Sequence, residues 1–163
     1  GEGPGLFPGV GFVAAGGRYS QRLNLARLTT RGIEARLGWT RGPFAVNLAY
    51  SHVDPELGGG LRPAQTARHS ASASLGYDDG ALRLDAQLRY LGAQFEDDRN
   101  IIRLGDALTA DLAASLPLGT GLRFTARAEN ITDARVEAAR SASGITERAM
   151  PRTIWLGVTA RFD

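Results

Sequence analysis

The 163-residue sequence has no cysteine, no lysine, one methionine and two histidines. Without cysteine there are no disulfides, thiolate metal sites or cysteine nucleophiles, and the chain suits a compartment in which stray thiols would oxidise. Without lysine, all 19 basic residues are arginine, set against 17 acidic residues for a net charge of +2. They are dispersed singly, so the clustered footprint of a nucleic-acid binder is missing and no such partner is expected. No run of about 18 apolar residues occurs, which excludes a transmembrane helix. The start, Gly1-Glu2-Gly3-Pro4, lacks the basic and apolar regions of a signal peptide, so a secreted chain has lost its signal or the sequence is internal to a longer one. No nucleophile stands beside a base, and there is no phosphate loop or zinc motif. Catalysis therefore has no support, and no cofactor is expected.

What the sequence does have is alternation. In 122–129, Leu122, Phe124, Ala126 and Ala128 point one way, while Arg123, Thr125, Arg127 and Glu129 point the other. A helix would mix the two sets on every face. The same period runs through 82–90 and 108–116, and through Ile33 to Trp39, Phe44 to Tyr50, Ala71 to Tyr77 and Ile154 to Phe162. That predicts at least seven antiparallel strands, with an eighth within Leu6 to Ala15, where Val10, Phe12 and Ala14 alternate. An apolar content of 43% does not argue for a soluble protein, because lumen-facing polar residues dilute the lipid-facing ones in a transmembrane barrel.

Connections alternate in length. Arg41-Gly42-Pro43, Asp78-Asp79-Gly80 and Gly119-Thr120-Gly121 are tight turns, whereas 54–67, 97–106 and 134–150 are long. Short periplasmic turns and long extracellular loops are the outer-membrane pattern. Trp39, Phe44, Tyr77 and Phe162 lie beside the short turns, and Tyr50 and Tyr90 near the far ends, as two aromatic girdles would. The fold class expected is thus all-β, an antiparallel transmembrane barrel segment of seven or eight strands. A soluble β-sandwich also alternates, but its strands are usually shorter and its polar faces lack this mixture of arginine and carboxylate. At mid-strand, Leu112 should face lipid and Asp111 the lumen, so that a charge costs far more at the first than a neutral swap costs at the second.

Particular residues then resemble the C-terminal barrel of TonB-dependent receptors over roughly 20–162. Gly32-Ile33-Glu34 is similar to the family's strand opening, Ala49-Tyr50-Ser51-His52-Val53-Asp54 to a strand end, and Arg89-Tyr90-Leu91-Gly92 before Asp97-Asp98 to a strand and its acidic outer loop. The ordered end is the most specific: Glu129-Asn130-Ile131-Thr132-Asp133, then Pro151-Arg152-Thr153-Ile154-Trp155, then Arg161-Phe162. Departures are Thr132 in place of an aromatic, no glycine between Pro151 and Arg152, and Asp163 after the terminal Phe. The resemblance implies a cell outer-membrane location in a Gram-negative organism and a barrel of roughly 22 strands filled by a plug domain. Residues 1–163 would be its C-terminal portion, without the plug. It implies uptake of a ferric siderophore, cobalamin or similar metal-chelate ligand, with outer-membrane lipid, the TonB complex (through the plug) and the barrel-assembly machinery as partners. The rival reading is a complete eight-stranded barrel with a structural or adhesive role. Pairing of 6–15 with 153–162 would favour that rival.

Two sets of candidate residues follow. Glu34, Arg36, Asp85, Arg89, Asp111, Arg123, Arg127, Glu129 and Arg161 form a lumen-facing polar ladder, read as charges pairing across strands and, functionally, as contacts to a plug or anionic ligand. Asn130, Arg152 and Phe162 form a C-terminal assembly signal that the resemblance implies. Glu96, Asp97 and Asp98 could hold Ca²⁺, but they lack the ligand spacing and turn glycine of a dedicated loop, and a solvated outer loop is the better reading. His52 and His69, without a third ligand, read as surface histidines, so no metal site is assigned.

Overall fold

A computed structural model describes residues 1–19 and 27–161, and every regular element among them is a strand. In chain order these are β1 (Gly5–Phe7), β2 (Gly11–Val13), β3 (Leu28–Arg41), β4 (Phe44–Leu57), β5 (His69–Asp78), β6 (Arg83–Leu91), β7 (Gln94–Phe95), β8 (Arg103–Leu104), β9 (Ala107–Gly119), β10 (Leu122–Glu129), β11 (Glu137–Arg140), β12 (Thr146–Arg148) and β13 (Thr153–Ala160). Seven make one antiparallel sheet in the order β13-β10-β9-β6-β5-β4-β3. Each strand thus lies beside its predecessor among the long strands, a meander that needs no crossover. The other six form three two-stranded ribbons, β1-β2, β7-β8 and β11-β12.

The sequence expectation of an eighth wall strand within 6–15 is not met. That segment folds on itself as β1-β2, with Leu6 opposite Phe12, and β13 pairs only with β10. Gly9 and Gly11, both at positive φ (76° and 96°), turn the chain back before a long strand can form. The seven-stranded sheet is consequently open, with β3 and β13 as its edges.

Register carries the alternation across the sheet. Trp39 sits opposite Val46, Val46 opposite Leu75, Leu75 opposite Ala86, Ala86 opposite Leu112, Leu112 opposite Ala128 and Ala128 opposite Ile154. One continuous apolar row therefore crosses all seven strands, and Leu37, Leu48, Ala73, Leu88 and Ala110 make a second. No second layer covers this face among the described residues. Ile33, Leu37, Leu48, Leu75, Leu88, Leu108, Leu112, Ile154, Leu156 and Val158 are all exposed, and among the described residues the large apolar side chains that are buried are Leu57 and Leu104. Leaving those ten in water would forgo about 1.5–3 kcal/mol apiece, at least as much as the roughly 5–15 kcal/mol by which a domain is stable. A sandwich would bury them against a second sheet, so the face is built for lipid.

The tight turns follow from local chemistry. Gly42 (φ 55°) sits in the two-residue β3-β4 hairpin and Gly121 (φ 73°) in the β9-β10 one, where positive φ matches the strand twist. A side chain on Gly121 would also lie 2.6 Å from the Arg161 carbonyl. In the β5-β6 turn, Asp79 accepts hydrogen bonds from the Leu82 amide (2.7 Å), the Ala81 amide (3.0 Å) and the Tyr77 hydroxyl (2.9 Å). These donors hold its carboxyl below the ordinary carboxylate range. Phe44 and Tyr77 pack at 5.1 Å between ring centroids beside these turns, while Tyr50 and Tyr90 mark the other end. Phe162 lies outside the described residues.

Candidate functional site: the lumen wall and the loop cap

Opposite the apolar face, the sheet is polar and uneven in height. Residues 45, 47, 49 and 51 on β4 and 70, 72, 74 and 76 on β5 are Ala, Asn or Ser and Ser or Gly, which leaves a low floor. Charged side chains rise on either side of it. Glu34 and Arg36 project from β3, and Arg89 from β6, around a shallow cavity of ≈ 620 Å³ floored by Ser70, Ser72 and Thr109.

The ladder residues do share this face, but they pair differently from the cross-strand expectation. Among the described residues, the one ladder ion pair between neighbouring strands is Arg89–Asp111. Arg83–Asp85 (2.9 Å) and Arg127–Glu129 (2.7 Å) pair along one strand, two residues apart, because same-face neighbours there are about 7 Å apart and an arginine reaches that far. Arg123 donates to the Ser115 hydroxyl at 3.0 Å. Arg161 contributes its backbone amide, bonded to the Gly121 carbonyl at 2.7 Å. Glu34 and Arg36 form no ion pair among the described residues, and both stand exposed on the edge strand. Arg83 lies outside the ladder as expected from sequence, and its parity with Asp85 on β6 is the signal that places it on this face.

Asp111 links the wall to the turn that follows β10. Its second carboxylate oxygen accepts the Asn130 amide at 2.8 Å. Asn130, buried and at φ 47°, donates from Nδ2 to the carbonyls of Ala134 (2.9 Å) and Met150 (3.3 Å) and accepts the Ala134 amide (2.9 Å). Asp133, also at positive φ, accepts the Arg152 amide at 3.2 Å. The two side chains of the Glu-Asn-x-x-Asp run thus tie the end of β10 to the start of β13 across a long loop. Arg152 enters through its backbone.

At the long-loop end, three connections interlock. Ala64 N donates to Asp98 (2.7 Å), Arg62 N to the Asn100 side-chain oxygen (2.9 Å) and Gln65 N to the Phe95 carbonyl (2.6 Å). The third connection joins through Arg140 N to Glu96 (3.3 Å) and Gly105 N to Glu137 (2.9 Å). Asp97 folds its own loop, accepting the amides of Arg99, Ile101 and Ile102. The acidic cluster is therefore structural in its contacts. Its three carboxylates accept backbone amides, and Glu96 the Gln65 side-chain amide as well, while Asp98 stays exposed at the loop surface. Leu57, at the end of β4, and Leu104, on β8, are buried. Arg62 lies over the Phe95 ring, 4.4 Å from its centroid, and burial together with Arg68 lowers its pKa from the ordinary arginine value. None of these cross-loop bonds has a local signature in the sequence. Only Asn100, at φ 58°, is a residue type that marks such a turn.

The histidines are register partners across β4-β5, with rings 4.6 Å apart, and Tyr50 OH lies 2.9 Å from His69 Nδ1. They sit on the apolar face, at its long-loop margin. No group of three or more metal-capable side chains occurs among the described residues.

Residues 4–131 match the family described as TonB dependent receptor-like, beta-barrel. Among solved structures, the chain is similar to the ferric yersiniabactin uptake receptor FyuA from Yersinia pestis, at 18% identity and a TM-score of 0.76, over 86% of this chain and 24% of that one. It is similar to the siderophore receptor PiuA from Acinetobacter baumannii at 17% and 0.71, over 82% and 22%. A third is the ferripyoverdine receptor of the outer membrane of Pseudomonas aeruginosa, at 16% and 0.69, over 82% and 19%. At these identities the likeness is one of fold, and the chain spans about a fifth to a quarter of each structure's length.

Proposed function

The chain belongs to the TonB-dependent receptor β-barrel family, and from that premise we propose that it is part of the wall of an outer-membrane receptor importing metal chelates. The cargo class is a ferric siderophore, cobalamin or similar nutrient. Transport would be energised by the TonB complex acting on a plug domain outside these residues. The observation that carries this reading is the open, single-layer sheet with one uninterrupted apolar face and one charged face. Such a wall is stable only when neighbouring strands satisfy both edges and lipid covers the outside. The eight-stranded rival loses its support, because β1 and β2 pair with each other and not with β13.

In this role the polar face borders the path of the cargo, with Glu34, Arg36 and Arg89 able to meet a plug or an anionic chelate around the small-residue floor. Arg83, Arg127 and their acids brace the wall. Asn130, Arg152 and Phe162 serve assembly by the barrel-insertion machinery, not ligand binding. The test is accumulation of radio-iron chelates and radio-cobalt cobalamin by cells carrying the full-length protein, with and without proton-motive force. Uptake of at least one chelate should require that force. An inserted protein that accumulates none, or accumulates one without energy, would sink the proposal.

A further inference from the structure

The apolar face changes character at its long-loop end without any change of register. On β3, Trp39, Leu37, Ala35 and Ile33 are followed on the same face by Arg31 and Thr29, and Arg27 comes just before the strand. Their β4 neighbours follow suit, Ile33 opposite His52, Arg31 opposite Asp54 and Thr29 opposite Glu56. Arg27, Thr29, Arg31, Asp54 and Glu56 line one cavity of ≈ 380 Å³, together with Leu57 and Gly58. Arg68 reaches Asp54 at 2.6 Å while staying 47% exposed, so one of the two carboxylates is already neutralised. Among the described residues, Arg27 and Arg31 form no ion pair, and both are exposed.

The height of this patch decides what it can meet. One step below Arg31 on its face lies the row holding Ile33, His52 and His69, and one step below that the row holding Tyr50. Tyr50 hydroxyl and His69 imidazole satisfy one another there, as polar tips do at a membrane–water boundary. A two-residue step along a strand is about 7 Å. The Arg31 guanidinium therefore stands about that far above the last apolar row, outside the wall, where a bilayer carries its phosphates, and Arg27 lies further out, just before the start of β3. Guanidinium matches phosphate bidentately.

We propose that this outward patch binds a phosphorylated glycolipid of the outer leaflet, Arg27 and Arg31 taking its phosphates. Glu56 and the free oxygen of Asp54 accept its hydroxyls. The inference rests on the barrel reading for its lipid-facing side but not on any cargo.

The test uses the full-length receptor in non-ionic detergent, titrated with bisphosphorylated lipid A or its dephosphorylated counterpart, with bound lipid counted by native mass spectrometry. The phosphorylated form should be retained at least tenfold better. Arg27→Gln/Arg31→Gln should abolish the difference, while Arg41→Gln, on the same face at the short-turn rim, should leave it. Equal retention of the two lipids by the wild type would overturn the proposal, whatever becomes of the variants. So would an undiminished preference in the folded double variant, or displacement by millimolar inorganic phosphate, which would mark a free-anion site. A protein that discriminates between the lipids yet takes up no chelate would count against the transport reading alone.

Discussion

Replacing Asn130 separates assembly from ligand binding, and its cost can be worked from the structure. The side chain is 6% exposed and makes three hydrogen bonds, two donated to the Ala134 and Met150 carbonyls and one accepted from the Ala134 amide. Each contributes about 0.5–1.5 kcal/mol net, and partners left buried and unpaired raise the loss. The backbone at φ 47° adds roughly 1 kcal/mol for alanine, whose Cβ disfavours the left-handed region. Asn130→Ala should therefore destabilise the full-length receptor by about 3–4 kcal/mol. Asn130→Gly loses the same bonds without the backbone strain, and should cost about 1 kcal/mol less despite glycine's greater unfolded-state freedom. Urea unfolding in micelles, followed by circular dichroism, gives both numbers from midpoint and slope. Chelate affinity of the folded variants should stay within twofold of wild type. A loss below about 0.5 kcal/mol for Asn130→Ala, or a glycine variant no better than the alanine one, would refute the reasoning.

Phe162→Asp in the full-length protein should lower insertion into the outer membrane, and unchanged surface abundance by protease shaving would contradict its assembly role. Leu112→Arg should cost roughly 2–4 kcal/mol near the bilayer midplane, since Leu112 lies in the apolar row. Asp111→Asn is a poorer lumen-facing comparison than the sequence suggested, because Asp111 holds both Arg89 and the Asn130 amide. Its exposed register partner Gln87 is the better one, and Gln87→Ala should cost under about 0.5 kcal/mol. Asp97→Ala should raise hydrogen exchange at Ile101 and Ile102 at least tenfold while amides of β9 stay protected, and equal exchange would show that the loop does not depend on Asp97. The lowered pKa of Asp79 means that its bonds to Ala81 and Leu82 persist above the ordinary carboxylate value and fail as pH falls through the lowered one. Protection of those two amides at pH 4 that vanishes in Asp79→Asn would support this, and loss already at pH 5 would not.

The wall was legible because its determinants are local. Period two in 122–129 fixes which face Phe124 and Arg127 take, and glycines at 42 and 121 fix the hairpins that set the register. The segment 6–15 misled for the complementary reason. Val10, Phe12 and Ala14 alternate, yet two positive-φ glycines turn the backbone there, and a backbone turn overrides side-chain parity. The cap was illegible because Glu96 meets Arg140, and Asp98 meets Ala64, across separations of 44 and 34 residues. An acidic run looks the same in sequence whether its oxygens face water, a metal ion or a neighbouring loop's amides.

That distinction bears on how a receptor built on this wall would open. Loops joined only at their strand ends could move independently, and a mobile gate could be drawn from any one of them. Here the connections 58–68, 92–106 and 130–152 share backbone-to-side-chain bonds, with Leu104 of the middle one fully buried. Displacing one loop breaks the bonds of the next, at about 0.5–1.5 kcal/mol each. The cap should therefore behave as one body carried by β4, β5, β6, β9, β10 and β13, and any access to the lumen past it must come from elements beyond these strands.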